Sequence, residues 1–410
     1  MRSYFTETSG CKPFFAPNCG PQLMRHLPLL FAAFCLLSGF GMQARPLDRV
    51  ETVQLTSPAG GVRLSGLMRL PTGPGPFAAA VLLPERGTDA HNPLSADNQF
   101  LARMADHLVS QGVIVLRLHE RGNGGSEGSA STTTLAERAA DAIAALNYLR
   151  TRPQVDVTRL GLIGHGEGAN VALLAAAQPL APTFVVAVAA AGLPGRELLA
   201  NQPVMYGKTL GPDTLEAHQQ HAYRLAETTA QTEAAKLRAA GSNAAQVQTY
   251  LDQQRLRLKA QQRRDLEARV KHQRAMLEIV RQTPDNAQAQ AILSNMLRQR
   301  YPAIAAPDVQ ASVQALTTPA YRSYLSFDPL PALPQVHCPV LLLQGDNDPE
   351  VNAAANLSLL KKGLKNSAHV TELRLPGLNH ALQITKEAAA ETALSPDALT
   401  DIYGWVKAQR

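Results

Sequence analysis

Short apolar runs and amphipathic stretches alternate along two parts of the chain, before residue 200 and after residue 339. The later runs are continuously apolar, which is typical of strands that are buried on both faces. The pattern predicts strands at 52–55, 62–70, 79–83, 113–118, 160–163, 184–189, 340–343 and 370–375. It predicts helices at 96–111, 134–150, 167–178, 352–364 and 396–409. After an antiparallel start, this alternation indicates an α/β fold with a mostly parallel eight-stranded sheet and helices on both faces.

The alternation stops at about residue 201 and resumes near residue 339. Residues 213–283 contain one glycine, no proline and many Gln, Ala, Arg and Glu, which favours long helices. We expect helices at about 213–240, 243–282 and 286–300, with one apolar stripe on the second. The stripe consists of Leu251, Leu256, Leu258, Leu266, Val270, Met276, Leu277 and Val280. This helical cap insertion is either a structural appendage or a lid over a pocket at the carboxyl edge of the sheet.

Residues 1–44 have the pattern of a signal peptide. A short basic start at 24–26 precedes an apolar stretch at 27–40, and Ala44 ends a candidate cleavage site. We expect translation to start at Met24 and the chain to be exported, either to the periplasm or outside the cell. No stable membrane span is then expected after cleavage. The alternative is an uncleaved membrane anchor.

Composition narrows the classes of protein that fit. The chain has 410 residues, of which 45% are hydrophobic and 18% are charged, so it can bury a large core. Lys and Arg exceed Asp and Glu by 39 to 33, but the excess is scattered, and we expect no nucleic-acid partner. Beyond residue 44 the chain retains one cysteine, Cys338, so no internal disulfide is expected. No C-x-x-C pair or histidine cluster predicts a metal site, and no cofactor is expected.

The strand at 160–163 leads into G-H-G-E-G at 164–168 and then into a helix. This is the context of a nucleophile elbow, G-x-S-x-G, whose outer glycines permit a very tight turn. The central residue here is Gly166, which has no side-chain atom that could attack a carbonyl. With Ala169, the segment also reads as the dinucleotide-binding pattern G-x-G-x-x-A, but the acidic residue expected about 20 residues later is missing.

Further segments accompany this turn: R-G-N-G-G-S at 121–126, the stretch 316–329, the strand 339–348 and the segment 375–380. In these segments the chain resembles the α/β-hydrolase superfamily, in the secreted esterase or serine-aminopeptidase-like branch whose elbow reads G-H-S-E-G. The resemblance runs from about residue 50 to the C-terminus. It implies that Asp348 is the acid and His380 the histidine of a catalytic triad, in the chain order elbow, acid, histidine.

Three positions depart from the family pattern. Gly166 stands where the family has its serine, and His119 stands where the family usually has aspartate. The segment 84–87 reads P-E-R-G, whereas the family usually has His-Gly there, at the opening of the oxyanion hole. A carboxylate at Glu85 would repel a developing oxyanion. Asp348 and His380 are therefore interpreted as vestigial triad members.

The pocket candidates also have structural interpretations. They are Glu167, Glu85, Arg86 and Gly87. Glu85 and Arg86 form either a mutual ion pair or a polar anchor in the pocket. Glu167 stands at a helix N-terminus, where a carboxylate complements the helix dipole without any chemistry. His165 is either a packing residue inside the turn or a catalytic one.

These observations predict an α/β-hydrolase core at 45–200 and 331–410, with the helical cap at 201–330. The resemblance relates the chain to carboxylic ester hydrolases. Without a nucleophile at Gly166, we expect a degenerate member whose remaining role is to bind a small ester-like or acyl ligand. The alternative is an active hydrolase of esters or amides that uses an activated water or a non-standard nucleophile. A dinucleotide-binding protein is a more remote alternative.

The predicted signal peptide can be tested by expression from Met24 in a bacterium. We expect an exported chain that is cleaved near Ala44, because the apolar stretch is short and small residues follow it. Intact mass measurement of the periplasmic fraction checks this. An uncleaved chain recovered in the membrane fraction would favour the anchor.

Overall fold

The computed structural model describes residues 48–85, 96–202, 215–384 and 394–409. The predicted signal peptide, 1–44, and two pocket candidates, Arg86 and Gly87, lie outside the described residues. In the described part of the chain, no helix combines the length and the apolarity that a membrane crossing requires.

The described strands form one eight-stranded sheet in the order β1-β2-β4-β3-β5-β6-β7-β8. The strands are β1 (Arg49–Thr56), β2 (Arg63–Leu70), β3 (Phe77–Leu83), β4 (Val113–Leu118), β5 (Val155–His165), β6 (Phe184–Val188), β7 (Val340–Gly345) and β8 (Val370–Leu375). The pairs β1–β2 and β2–β4 are antiparallel, and every later pair is parallel. The predicted fold class is confirmed.

Helices follow most of the strands. They are α1 (Ala96–Ser110), α2 (Leu135–Arg150), α3 (Glu167–Ala176), α4 (Gly195–Asn201), α5 (Leu215–Ala239), α6 (Ala244–Gln282), α7 (Asn286–Arg300), α8 (Ala306–Leu316), α9 (Pro319–Leu325), α10 (Ala353–Gly363) and α11 (Pro396–Ala408). A short 3₁₀ turn, Leu333–Gln335, precedes β7.

The central strand β3 shows why the buried strands are continuously apolar. Ala79 and Val81 belong to a core layer that includes residues of α2, α3 and α10. Ala80 and Leu82 belong to a second layer that includes residues of α1 and α11. Because successive side chains of a strand point to opposite faces, both layers require apolar residues. Helices therefore cover both faces, and the carboxyl edge of the sheet is where the site loops begin.

The cap consists of α4 to α9, which lie between β6 and β7. Its long helices begin and end within two residues of the predicted bounds. Asn243 and Gln246 form the reciprocal capping box that starts α6. The sequence did not predict three of the cap helices, α4, α8 and α9. Each of them is short or follows a proline-containing stretch. The predicted domain boundaries, 45–200, 201–330 and 331–410, stay predictions.

The single apolar stripe predicted on α6 was wrong. Met276, Leu277 and Val280 are fully buried, in a cap core that also contains residues of α4, α7, α8 and α9. Leu256 is 67% exposed and Leu266 is 47% exposed. The cap core encloses α6 only near its C-terminal end. Val247, near the N-terminus of α6, is also buried, but Leu256 and Leu266 between these two regions are exposed to solvent.

Truncation of a leucine side chain should therefore have different effects at two positions of α6. Leu277→Ala should cost about 2–5 kcal/mol of stability, because it leaves a cavity in the cap core. Leu256→Ala, on the same helix, should change stability by less than about 0.5 kcal/mol. Denaturant midpoints of the two variants measure the difference. Equal midpoints would contradict the packing of the cap described above.

Candidate active site

The turn between β5 and α3 is built around Gly166. Its backbone has φ 55° and ψ −121°, a conformation that glycine tolerates and that strains residues with a side chain. The Gly166 N–H donates a hydrogen bond to the carbonyl of Val188, 3.0 Å away. This hydrogen bond ties the turn to the end of β6, next to the carboxyl edge of the sheet.

The two outer glycines of the turn are required by close backbone approaches. A β-carbon at Gly164 would lie 2.2 Å from the carbonyl oxygen of Gly168. A β-carbon at Gly168 would lie 2.2 Å from the carbonyl oxygen of Leu83, the last residue of β3. Both distances are far below van der Waals contact. The G-x-x-x-G spacing therefore lets α3 pack directly against the ends of β3 and β5.

Asp348 and His380 meet beyond the ends of β7 and β8. His380 Nδ1 lies 2.8 Å from Asp348 Oδ2. Asp348 Oδ1 accepts hydrogen bonds from the backbone N–H groups of Glu350 and Val351, and Gln344 Nε2 donates to Asp348 Oδ2 over 2.6 Å. The carboxylate is thus an acceptor on both oxygens, and Nδ1 of His380 carries the proton that it receives. Nε2 is the ring nitrogen left for other partners.

The Glu85 carboxylate lies between Gly166 and His380. Its Oε1 is 3.7 Å from His380 Nε2. A β-carbon at Gly166 would lie 3.0 Å from Glu85 Cδ and 3.1 Å from Glu85 Oε1. Glu85 therefore stands where a side chain at position 166 would approach the histidine. Its predicted partner Arg86 lies outside the described residues, so the predicted Glu85–Arg86 ion pair stays a prediction.

The electrostatics of the site centre on His380. Burial by itself lowers the pKa of His380, but the Asp348 and Glu85 carboxylates together outweigh burial and raise it well above its ordinary value. Burial also raises the pKa of Glu350, and the negative charges of Glu85 and Asp348 add to the increase, whereas His380 and His165 oppose it. Glu350 is thus part of the site. No sequence pattern identified Glu350. The signal that could have identified it is its position two residues after the predicted triad acid, Asp348.

Glu167 is held in a buried ion pair. It is 4% exposed, and Arg138 Nη1 donates to Glu167 Oε1 over 2.6 Å. Arg138 Nη2 donates to the carbonyl oxygen of Pro84, also over 2.6 Å. The first residue of α3 is thereby connected to the loop that carries Glu85. No sequence pattern singled out Arg138, because it lies 29 residues from Glu167 on another helix.

His165 and His119 both lie close to this region. His165 is 1% exposed, its Nε2 is 3.0 Å from the carbonyl oxygen of His380, and its ring packs against Phe100 and His380. His119 follows β4 and lines a cavity of about 60 Å³ together with Pro84 and Arg138. Pro84, in the loop after β3, thus lines the same cavity as His119 and Arg138.

The chain is similar in sequence to known hydrolases. The sequence model of a family described as X-Pro dipeptidyl-peptidase (S15 family) matches residues 61–370. Esterase EstD of Thermotoga maritima is 32% identical over 148 residues, which are 36% of this chain and 35% of that protein. The chain therefore matches about a third of the length of this curated relative.

Solved structures show weaker likenesses. An esterase of Pyrococcus furiosus is 12% identical, with a TM-score of 0.49, and the match covers 88% of this chain and 91% of that one. The α/β hydrolase GrgF from Penicillium is 16% identical, with a TM-score of 0.47, and the match covers 88% of this chain and 99% of that one.

The glycine requirement at the turn predicts opposite effects for two alanine substitutions. Gly168→Ala should destabilise the protein by about 1–3 kcal/mol or more, because its β-carbon would meet the Leu83 backbone. Gly404→Ala, in α11, should be neutral or stabilise by about 0.4–1 kcal/mol, because nothing lies within 4 Å of the added carbon. Thermal unfolding of both variants measures this. A stable Gly168→Ala variant would contradict the close approach of α3 to β3.

Proposed function

Because the chain belongs to the X-Pro dipeptidyl-peptidase (S15) family, we propose that it is related to hydrolases of esters and amides but cannot run the Ser-His-Asp reaction. The family match and the sheet topology confirm the α/β-hydrolase fold. The loss of the serine reaction, the ligand and the cellular location are our proposals.

One observation carries the proposal: the group beside the histidine is a carboxylate from another loop. In the Ser-His-Asp reaction, the serine Oγ is hydrogen-bonded to Nε2 of the histidine, which removes its proton. Here Gly166 provides no oxygen, and Glu85 Oε1 is the acidic oxygen near His380 Nε2, at 3.7 Å. A carboxylate at this point also opposes the negative charge that develops on a carbonyl oxygen in acyl transfer.

Three features support ligand binding as the role that remains. The Asp348–His380 pair is intact, Glu85 and Glu350 add polar groups, and the cap is inserted at the carboxyl edge of the sheet, where open α/β sheets bind ligands. We propose a small ester-like or acyl ligand, and no nucleic-acid partner. We also propose that the chain acts after export, with 1–44 removed.

A second function is favoured by the same contact. A carboxylate next to a buried histidine is an arrangement that can activate a water molecule or supply a non-standard nucleophile. In that case Glu85 and His380 would be the acid–base pair of an active hydrolase of esters or amides. The two functions differ in whether the unmodified protein turns over an ester.

The unmodified protein should not react at residue 166 with a serine-directed phosphonate, since no oxygen is present there. Its hydrolysis of short acyl esters should stay near the uncatalysed background. Mass spectrometry of the probe-treated protein and a chromogenic ester assay measure both. Ester hydrolysis by the unmodified protein that is lost in His380→Ala would overturn the proposal and favour the second function.

Restoring the serine should reveal the obstruction by Glu85. Gly166→Ser should react weakly with the probe, because its β-carbon meets the Glu85 carboxylate and its backbone is strained. Gly166→Ser with Glu85→Gly should react at least about tenfold faster, because the opposing charge is gone. Gly166→Ser with Glu127→Gly is the matched control, since Glu127 pairs with Arg63 at the surface. Equal rates in the two double variants would exclude Glu85 as the obstruction.

A further inference from the structure

Three side chains at the turn can supply ligand atoms for one metal ion. Glu85, His165 and His380 each offer an oxygen or nitrogen, and these atoms all lie within 4.8 Å of one another. Two histidines and one glutamate form a donor set that zinc sites use, with a further coordination position left open. We propose that this cluster binds a divalent transition-metal ion of the zinc class. The inference rests on the proposed function, in which this site no longer contains a serine nucleophile.

The surroundings of His380 Nε2 support a metal ion. His380 is 7% exposed, and its Nε2 is buried with no hydrogen-bond partner among the described residues. Its nearest acidic partner, Glu85 Oε1, is 3.7 Å away, beyond hydrogen-bond distance, and a buried polar atom without a hydrogen bond calls for an explanation. A metal ion bound at Nε2 provides one. A purely structural role for His380 would use Nδ1 and would gain nothing from a second buried nitrogen.

Neighbouring groups orient the two histidines that would bind the metal. A histidine that binds a metal usually donates its other ring N–H to a carboxylate or a carbonyl, which fixes the orientation of the ring. His380 has this support from Asp348, over 2.8 Å. His165 Nε2 lies 3.0 Å from the His380 carbonyl oxygen, a contact that orients the His165 ring. The orientation of both imidazole rings is therefore fixed by neighbouring groups.

The distances between the ligand atoms and the charge at the site also favour a metal ion. Ligand atoms bound about 2.0–2.1 Å from a tetrahedral zinc ion lie roughly 3.4 Å from one another. Glu85 Oε1 and His380 Nε2 are 3.7 Å apart, and the three ligand atoms lie within 4.8 Å of one another, so metal binding would draw the ligands closer, with the partly exposed Glu85 side chain moving. Asp348, whose Oδ2 lies 2.8 Å from His380 Nδ1, brings a further carboxylate to the site, and its charge favours a cation.

Gly166 makes room for this arrangement. A β-carbon at position 166 would lie 3.0–3.2 Å from three atoms of the Glu85 side chain. A serine there would displace the carboxylate from the histidine. The absence of a side chain at Gly166 and the position of Glu85 are thus two parts of one site.

The test uses the full chain, stripped with a chelator and then loaded with zinc chloride. Metal content after dialysis and isothermal titration should give one more zinc per chain in the unmodified protein than in Glu85→Gln or His380→Gln. Glu127→Gln and His369→Gln, both at exposed positions, are the matched controls and should retain that zinc. Zinc bound by Cys11, Cys19 or Cys35 is common to all variants and cancels in the comparison. Equal zinc content in the unmodified protein and Glu85→Gln would overturn the inference.

Gly166→Ser adds a variant that keeps every ligand. It should weaken zinc binding at least tenfold, because its side chain displaces Glu85; unchanged affinity would count against the site. Failure of this inference and failure of the proposed function are separable. Ester turnover by the chelated protein would overturn the proposed function without bearing on zinc content. Turnover that appears only with zinc, and is lost in Glu85→Gln, would support the metal site and select the activated-water function.

Discussion

The close approach of α3 to the ends of β3 and β5 is the constraint on which the site depends. Gly164 and Gly168 permit it, because any side chain at either position would meet backbone oxygens 2.2 Å away. This approach brings the loop after β3 against the turn at Gly166. Arg138 then bridges Glu167 and the Pro84 carbonyl, which holds the two segments together. The position of Glu85 beside the turn follows from this packing.

The sequence predicted the sheet and most helices because their signals are local. Continuous apolar runs and the glycine spacing at the turn depend on neighbours that are close in the chain. The pairing of Asp348 and His380 came from a family resemblance, and the structure brings the two side chains to hydrogen-bond distance. Arg138 and Glu350 carry no such pattern. The role of each depends on contacts made between distant segments, which only the folded chain shows.

The cap illustrates a second limit of sequence patterns. The lengths and the capping of the long helices could be predicted from the sequence, because the Asn243 capping box and the absence of proline act locally. Burial was not readable, because Leu256 and Leu277 have the same hydrophobicity but lie at different distances from α4, α7 and α8. An apolar stripe predicts that a helix can pack, whereas the other elements decide how much of the stripe they cover.

The glycine at position 166 and the presence of Glu85 beside it are physically coupled. Glycine at 166 relieves backbone strain and leaves the space that the carboxylate enters, so either feature makes the other easier to accommodate. Decay alone would explain the missing nucleophile, but it would not favour a second carboxylate beside an imidazole that Asp348 already holds. Nor would decay favour a buried Nε2 that makes no hydrogen bond to any residue the structure describes. In our proposal, these two features belong to a site that holds a cation or a polar ligand, and His380 Nε2 is the atom that contacts that ligand.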